Sequence, residues 1–472
     1  MNHSMMKRYQ FFLGLIIFLS ACHISKDIEA PISDIPSSYR NGKAGDTQTI
    51  ATLPWRDLFR EPELQALIDS ALANNLDMQL AIRNIDIARH SLRQARMSLL
   101  PAAGLNIGVS STIPSKNSLN GSLTEQFLGT SHIEDYTANL GLSWEADIWG
   151  KVRSRKRAAL ASYLQTEEVK RAIQTNIVSM VSQAYYHLLM LDEQLKVAQK
   201  NAALSDSTVR ILSLQQQAGQ VTALATQQAN AQRLLALQLV PQLEQEVELQ
   251  ENALSVLLGA YPHGIKRSGT LYSFSIPSTV YAGIPVQLVR SRPDVKGSEF
   301  ALARANANVG LAKADFFPSL VVSASTGINS FKASNWFAIP SSLFGIGAGS
   351  IAQPLLQRGQ IRARYNISLA ERDQAVIRFR QSVLQAVEEV SGAIVRLEKL
   401  EGQYRIVKER AGVLQQATRN AQLLYQNGMA TYLEVITAQS NSLQSELTLA
   451  NIKLEQMNAF TELYRSLGGG WQ

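Results

Sequence analysis

The chain has 472 residues, with 45 Lys and Arg against 38 Asp and Glu and a formal net charge of +7. Apolar residues make up 46% and charged residues 18%, which excludes intrinsic disorder and leaves material for a large core. A single cysteine, Cys22, excludes an intrachain disulfide, a thiolate zinc site and a catalytic thiol in the body of the chain; the histidines have no ligand-like spacing, and no Gly-x-x-x-x-Gly-Lys phosphate loop occurs.

At the N-terminus, Lys7 and Arg8 precede an apolar run from Phe11 to Leu19 that is too short to span a bilayer as a helix. The run ends in Leu19-Ser20-Ala21-Cys22. This resembles the bacterial lipoprotein signal, in which the cysteine is acylated and becomes the first mature residue. Residue 23 is His rather than Asp, which by the same resemblance implies delivery to the outer membrane. The expectation is a signal peptide over 1–21 and an acylated tail over 22–60. Cleavage removes Lys7 and Arg8 and no acid, so the net charge falls by two to +5. No later stretch is long and apolar enough for a transmembrane helix, so a body that crosses the membrane must do so as a β-barrel.

Glu63 to Leu99 contains no Gly or Pro and is dense in Ala and Leu, which predicts one helix stopped by Pro101. Two runs with period two follow. Leu105, Ile107, Val109 and Ile113 alternate with small polar residues, and so do Tyr136, Ala138, Leu140, Leu142 and Trp144. Lys151 to Ala218 again lacks Gly and Pro, with apolar positions at alternating steps of four and three. That spacing predicts a coiled-coil-like helix of roughly 100 Å, too long for a compact domain. Gly219 supplies a turn, and a second helix follows from Val221 to Leu258 with Pro241 as its expected kink.

The pattern then recurs. At an offset of 217, Asp77, Ala88, Ala95 and Pro101 meet Asp294, Ala305, Ala312 and Pro318. At an offset of 209, Gly150, Arg153, Arg155, Gly219, Thr222 and Leu258-Gly259 meet Gly359, Arg362, Arg364, Gly428, Thr431 and Leu467-Gly468. The chain is a duplication: repeat one over 61–259 with strands over 102–147 and a hairpin over 150–258, a linker over 260–284, and repeat two over 285–472 with strands over 319–352 and a hairpin over 359–467. In the second strand pair, Leu320, Val322, Ala324 and Ile328 form an apolar face, and Phe344, Ile346 and Ala348 are expected to do so against Gly345, Gly347 and Gly349. Gly392, Gly402 and Gly412 mark candidate close helix crossings.

Period two with one apolar and one small polar face fits membrane-spanning strands, with Trp144, Trp149, Trp336 and Phe337 as interfacial anchors. A soluble sheet with one wet face gives the same alternation, and the lipoprotein signal favours the spanning reading. Four strands cannot close a membrane barrel, so the barrel is shared between chains. Two chains give eight strands and three give twelve; an eight-stranded barrel is filled by its own side chains, so a conducting pore favours three.

Together with Pro54-Trp55-Arg56-Asp57-Leu58-Phe59, Ala71-Leu72, Asn75, Arg292-Pro293-Asp294-Val295, Phe316-Phe317-Pro318 and Leu467-Gly468-Gly469-Gly470-Trp471, these features resemble the TolC-like outer-membrane efflux channels, in their NodT-type lipoprotein branch. The resemblance implies a mainly α fold with a small membrane β part: a homotrimer with a twelve-stranded β-barrel and a coiled-coil α-barrel reaching into the periplasm. It implies a passive conduit exporting small molecules, the outer-membrane component of a tripartite pump. Its partners are a periplasmic adaptor protein, an inner-membrane transporter of the resistance-nodulation-division type and outer-membrane lipid. No catalysis, no metal and no cofactor beyond the lipid on Cys22 are expected. The alternatives are the outer-membrane duct of a type I secretion system and a periplasmic adaptor lipoprotein; the duplication with two strand pairs argues against the latter.

By the same resemblance the last hairpin carries the periplasmic gate. Tyr425 matches the gate tyrosine, Leu433 the gate leucine and Glu434 the first acidic position, while Thr437 stands where a second acid is usual. An acidic ring would select cations; a solvated residue beside a turn is the other reading of Glu434. Gly219, Val221, Thr222, Gly428, Met429 and Thr431 lie at the hairpin tips where the adaptor docks in similar proteins, and a glycine there also simply ends a helix. The basic run from Lys151 to Arg157 has a nucleic-acid-like composition, but an exported chain meets no nucleic acid; lipid phosphate contact or a lumen charge is the reading. The glycine run Gly345 to Gly349 opens no strand–turn–helix unit and is not a dinucleotide loop.

Overall fold

The computed structural model describes residues 25–31, 35–40, 49–274 and 282–471. Cys22 and the signal peptide lie outside the described residues. The chain forms two units, one of residues through Ala30 with Asp86–Leu164 and Phe300–Ile377, the other of Pro31–Ile85, Gln165–Glu299 and Arg378–Gln472. In chain order the main elements are α1 (Pro62–Asn74), α2 (Leu76–Met97), β1 (Ala102–Thr112), α3 (Leu119–Leu128), β2 (Ile133–Ala146), α4 (Lys151–Gln217), α5 (Ala223–Leu257), α6 (Pro285–Ser291), α7 (Pro293–Ala314), β3 (Ser319–Ser330), β4 (Leu343–Ala352), α8 (Gln360–Gln426) and α9 (Tyr432–Ser466).

The first unit holds one antiparallel sheet in the order β1-β2-β3-β4. Asp147, just past β2, starts α4 by accepting from the backbone N–H groups of Val152 (2.8 Å) and Arg153 (3.0 Å), which satisfies two of the helix's orphan donors. A small core of Leu302, Ala305 and Ala375 packs against Ala30 and Val376. Beside it the N-terminal segment is held by its backbone: Ile28 N–H donates to Asn306 Oδ1 (3.1 Å), and Asn306 Nδ2 donates back to the Ile28 carbonyl (2.9 Å).

The second unit is helical. Tyr186 and Phe460 flank Phe274 in tilted ring contacts, with Tyr185 beside Tyr186. Burial pushes the Tyr185 hydroxyl up to about 12. The segment after α5 is tied down by charge: Arg267 bonds both carboxylate oxygens of Asp192 and reaches Glu251, and Lys453 donates to the Phe274 carbonyl at 2.9 Å. Burial lowers the Lys453 ammonium below its ordinary range, and the charge of Lys408 adds to the effect.

The helix expected to run unbroken from Glu63 breaks at Asn75. Asn75 has φ −58° and ψ 133°, outside the helical region. Its side chain accepts from Met78 N–H (3.1 Å), capping α2, and donates to the Leu257 carbonyl at the end of α5 (2.9 Å). The second repeat breaks at the equivalent residue. Arg292 follows α6, donates to the Ser466 carbonyl at the end of α9 (3.0 Å), holds both oxygens of Asp294 and reaches Glu389. Burial alone would raise the Asp294 carboxyl; the Arg292 guanidinium more than cancels this and holds it below its ordinary range. Gly259 and Gly468 end the two hairpins with φ +72° and +86°. Neither has room for a Cβ, which would lie 2.3 Å from the Asn74 carbonyl oxygen in one repeat and 2.8 Å from that of Ser291 in the other.

Pro241 lies within α5, which remains one helical element through it. One further sequence reading is corrected. Gly402 and Gly412 face open space and Gly392 meets only the Glu388 carboxylate at 3.9 Å, so within the chain they do not mark close crossings.

Gly428 and Gly468 separate the two reasons for a glycine. Gly428→Ala, at φ +72° with nothing nearby, is expected to cost only the left-handed backbone penalty of about 1–2 kcal/mol. Gly468→Ala adds the collision with Ser291 and is expected to cost about 3 kcal/mol or more. Melting of the two purified variants checks the order, and equal melting temperatures would contradict it.

Candidate functional site

The register fixes the two faces of the sheet. Leu105 lies opposite Leu140, which lies opposite Thr326, which lies opposite Gly345; Ile107, Ala138, Ile328 and Leu343 form the next row on the same side. This face is apolar, and its Leu105, Ile107, Val109, Leu140, Leu142, Val322 and Leu343 are exposed. The other face carries Asn106, Asn139, Asp135, Asn329, Ser323 and Ser325. Aromatics sit at both ends of the strands. In the loop between β3 and β4, Trp336 packs on Tyr136 of β2 (5.6 Å) and Phe337 on Trp336 (5.0 Å). At the helix end Trp149 stacks on Phe317 (4.7 Å) and donates to the Pro318 carbonyl (2.7 Å), while Trp144 donates to the Leu99 carbonyl (3.0 Å). An exposed apolar band closed at each end by amphipathic rings matches a bilayer with its two interfaces.

The last strand departs from the sequence reading. Phe344 pairs with Gly327 and Ile346 with Ser325, so both side chains stand on the polar face, while Gly345, Gly347 and Gly349 join the apolar one. Leu343 and Phe344 are adjacent apolar residues, so the alternation of β4 has two possible phases. Pairing with β3 selects the one that places Leu343 and Ile351 with Ile328 and Leu320.

The basic run after β2 is partly neutralised. Lys151 lies 3.5 Å from Glu145 and 3.4 Å from Asp315, and Arg153 holds Asp147. Lys151, Asp315, Arg364 and Trp149 line a cavity of about 350 Å³ at the strand–helix junction.

The two hairpin tips are built alike. Gly219 and Gly428 both have φ +72°, a conformation that glycine takes without strain. Gly219 N–H bonds the Gln216 carbonyl and Gln220 N–H that of Gln215; Gly428 and Met429 do the same with Tyr425 and Leu424. These paired bonds satisfy the last carbonyls of α4 and α8. Thr222 and Thr431 then precede α5 and α9. The tips differ three residues further on. Glu434 accepts from Thr431 N–H (2.6 Å) and from its hydroxyl (3.2 Å), a capping box. The first repeat has Ala225 there, fully buried with Leu212 and Ala229.

That apolar cluster receives the second hairpin. Val221, Tyr425, Tyr432 and Ile436 pack on it. The Tyr425 hydroxyl donates to Gln215 Oε1 and the Tyr432 hydroxyl to Gln228 Oε1 (2.7 Å). Burial raises the Tyr425 hydroxyl above its ordinary range, so it stays a hydrogen-bond donor. Leu433 and Thr437 are exposed one turn apart on α9, and Met429 is exposed at the tip. The structure therefore brings Tyr425 into the first hairpin, gives Glu434 a capping role and leaves Leu433 and Thr437 free of that cluster. Gln215, Gln228 and Tyr432 are contact residues that sequence reasoning missed. A half-buried tyrosine calls for an acceptor, but a segment rich in Gln does not say which one.

An apolar band with aromatic ends on a four-stranded sheet, in a chain otherwise made of long helical hairpins, defines an outer-membrane channel subunit. The family model described as outer membrane efflux protein matches residues 67–260 and 284–469, and the chain belongs to that family. It is 28% identical over 458 residues to the cation efflux system protein CusC of Escherichia coli O6:H1, covering 96% of this chain and 97% of that protein. It is 29% identical over 463 residues to the toluene efflux pump outer membrane protein TtgC of Pseudomonas putida, covering 96% and 93%. Among solved structures, the open state of the MtrE outer membrane channel of Neisseria gonorrhoeae superposes with a TM-score of 0.86 at 25% identity, covering 96% of this chain and 99% of that one. The CusC crystal structure gives a TM-score of 0.84 at 25% identity, covering 95% and 100%.

The capping role of Glu434 makes alanine an ambiguous probe, and glutamine resolves it. Glu434→Gln keeps an acceptor for Thr431 while removing the charge. If capping is its role, Glu434→Gln behaves as wild type and Glu434→Ala costs about 1 kcal/mol of local helix stability, read as faster amide exchange at Thr431. If its charge sets cation preference, both variants lower that preference equally in a planar bilayer.

Proposed function

We propose that three copies of this chain close a twelve-stranded barrel in the outer membrane and act as the passive exit duct of a tripartite efflux pump. The observation that carries this reading is the sheet: one apolar face ringed by aromatics, one polar face, and two strands, β1 and β4, that each pair on one side only among the described residues. Unpaired strand edges are costly in hydrocarbon, so the sheet must close, and copies of itself are the simplest way to close it. Four strands from each of three chains give twelve, wide enough to leave a lumen.

The duct performs no chemistry, and energy comes from its partners. These are a periplasmic adaptor, which docks at the tips around Gly219 and Gly428, and an inner-membrane transporter of the resistance-nodulation-division type. Tyr425, Leu433, Glu434 and Thr437 belong to the periplasmic gate. Tyr425 holds the second hairpin against the first through Gln215, and Leu433 and Thr437 face away from that contact. Cys22 carries the lipid that anchors the mature chain in the outer membrane. Relatives of nearly equal identity are named for cation and for toluene efflux, so the shared fold does not select the cargo.

Light scattering of the detergent-solubilised protein is expected to give three times the mass of one mature chain, and planar bilayers are expected to conduct. A monomer or dimer would overturn the barrel. Radiolabelled palmitate is expected to label the wild type and not Cys22→Ala, and equal labelling would remove the anchor. Tyr425→Phe keeps the ring and deletes one hydrogen bond, of net worth about 0.5–1.5 kcal/mol. It is expected to raise the fraction of time the channel is open, and an unchanged open fraction would separate Tyr425 from the gate.

A further inference from the structure

The polar face of the sheet carries two large apolar side chains where its neighbours are small. Phe344 and Ile346 stand two residues apart on β4, at levels about 7 Å apart along the strand. Each is flanked on β3 by a residue with little side chain, Gly327 for Phe344 and Ser325 for Ile346. Gly327 has no room for a Cβ, which would lie 2.1 Å from the Ala138 carbonyl oxygen. Ile346 is 60% exposed on a face lined mainly by hydroxyl, amide and glycine residues, with Val321 and Ala348 as its smaller apolar members. Two apolar side chains grouped in an otherwise polar lining offer a local apolar surface to whatever passes, and symmetry would multiply it. The same face bears the carboxylates of Asp135 toward the loop end and Glu145 toward the helix end, and the four strands contain no Lys or Arg.

Building on the trimeric barrel proposed above, we infer that Phe344 and Ile346 form an apolar girdle inside its lumen. The girdle binds the hydrocarbon or aromatic body of an organic cation in transit. The ring of Phe344 offers its negative face to the charge and Ile346 removes apolar surface from water. Asp135 favours a cation over an anion at the loop end of the passage, while Glu145 at the helix end is paired with Lys151. Three copies would place six such side chains at two levels of the lumen. The site is a shallow, weak one, because a duct must release what it binds.

The chain's one cysteine, Cys22, is blocked if acylated, so an introduced cysteine is a unique label site. In intact cells carrying the full chain, a membrane-impermeant sulfonated maleimide is expected to label Ile346→Cys and not Gly347→Cys. Labelling of a Ser325→Cys channel is expected to be slowed by tetraphenylphosphonium, and less by tetraphenylborate, which has the same body and the opposite charge. Adding Phe344→Ser and Ile346→Ser is expected to raise the phosphonium concentration needed for half-protection roughly two- to fivefold, the scale of one exposed cation–π contact. Ile346→Ser alone, with trimer assembly checked by mass, serves if the double variant does not assemble.

Labelling of Gly347→Cys but not Ile346→Cys would mean that the faces are reversed, and both the barrel reading and the girdle would fall. Correct faces with no protection, or with protection unchanged by the serine variants, would leave the barrel standing and overturn the girdle. Equal protection by tetraphenylborate would overturn the preference for cations.

Discussion

A sheet in hydrocarbon has to dispose of every backbone N–H and carbonyl along its edges, because the lipid offers no partner for them. Among the described residues β2 and β3 are paired on both sides and β1 and β4 on one. Much else in the first unit answers to that constraint. The strands run for 10 to 14 residues, the pairing runs in unbroken register from β1 through β4, and most of the large apolar side chains are gathered on one face. The aromatics at the two ends fix the depth of the band. At the helix end Trp149 and Trp144 donate to the Pro318 and Leu99 carbonyls, while at the loop end Trp336 and Phe337 are held by ring contacts.

The second unit is organised by a motif that occurs twice. A helix breaks, the residue at the break reaches across to the last carbonyls of a hairpin, and a glycine too crowded for any side chain ends that hairpin. Asn75 does this with one amide, while Arg292 does it with a guanidinium and recruits Asp294 and Glu389. The geometry is common to both repeats and the chemistry is not. Burying a charged group at the second break requires the paired carboxylates, since an unpaired guanidinium there would be strongly destabilising. The neutral version in the first repeat makes no such demand.

The long helices were legible because uninterrupted stretches without Gly or Pro leave few alternatives, and the tips because Gly219 and Gly428 stand at the ends of those stretches. The duplication was legible because arginines, leucines and glycines keep one offset. The break at Asn75 was not, because an asparagine inside an Ala- and Leu-rich run announces a cap only when its side chain finds the Met78 N–H. The phase of β4 was hidden by the adjacency of Leu343 and Phe344; only pairing with β3 decides it. Glu434 was read for its charge from the resemblance, whereas its distance from Thr431 reveals a capping bond. Its spacing after Thr431 is that of a capping box, a local signal present in the sequence beside the resemblance. The Tyr425–Gln215 contact joins residues far apart in the chain, and no local pattern encodes it.

The capping difference between the tips has a consequence for symmetry. Two hairpins with the same backbone turn, repeated by a threefold axis, would present six nearly equivalent ends to whatever approaches them. A visitor that touches only the turn at Gly219 or Gly428 would meet sixfold order. One that senses the carboxylate of Glu434 against the buried methyl of Ala225 would meet threefold order, with alternate ends distinct. A residue three positions into a helix thus bears on how many identical seats such an assembly would offer and how many ways a partner could be seated.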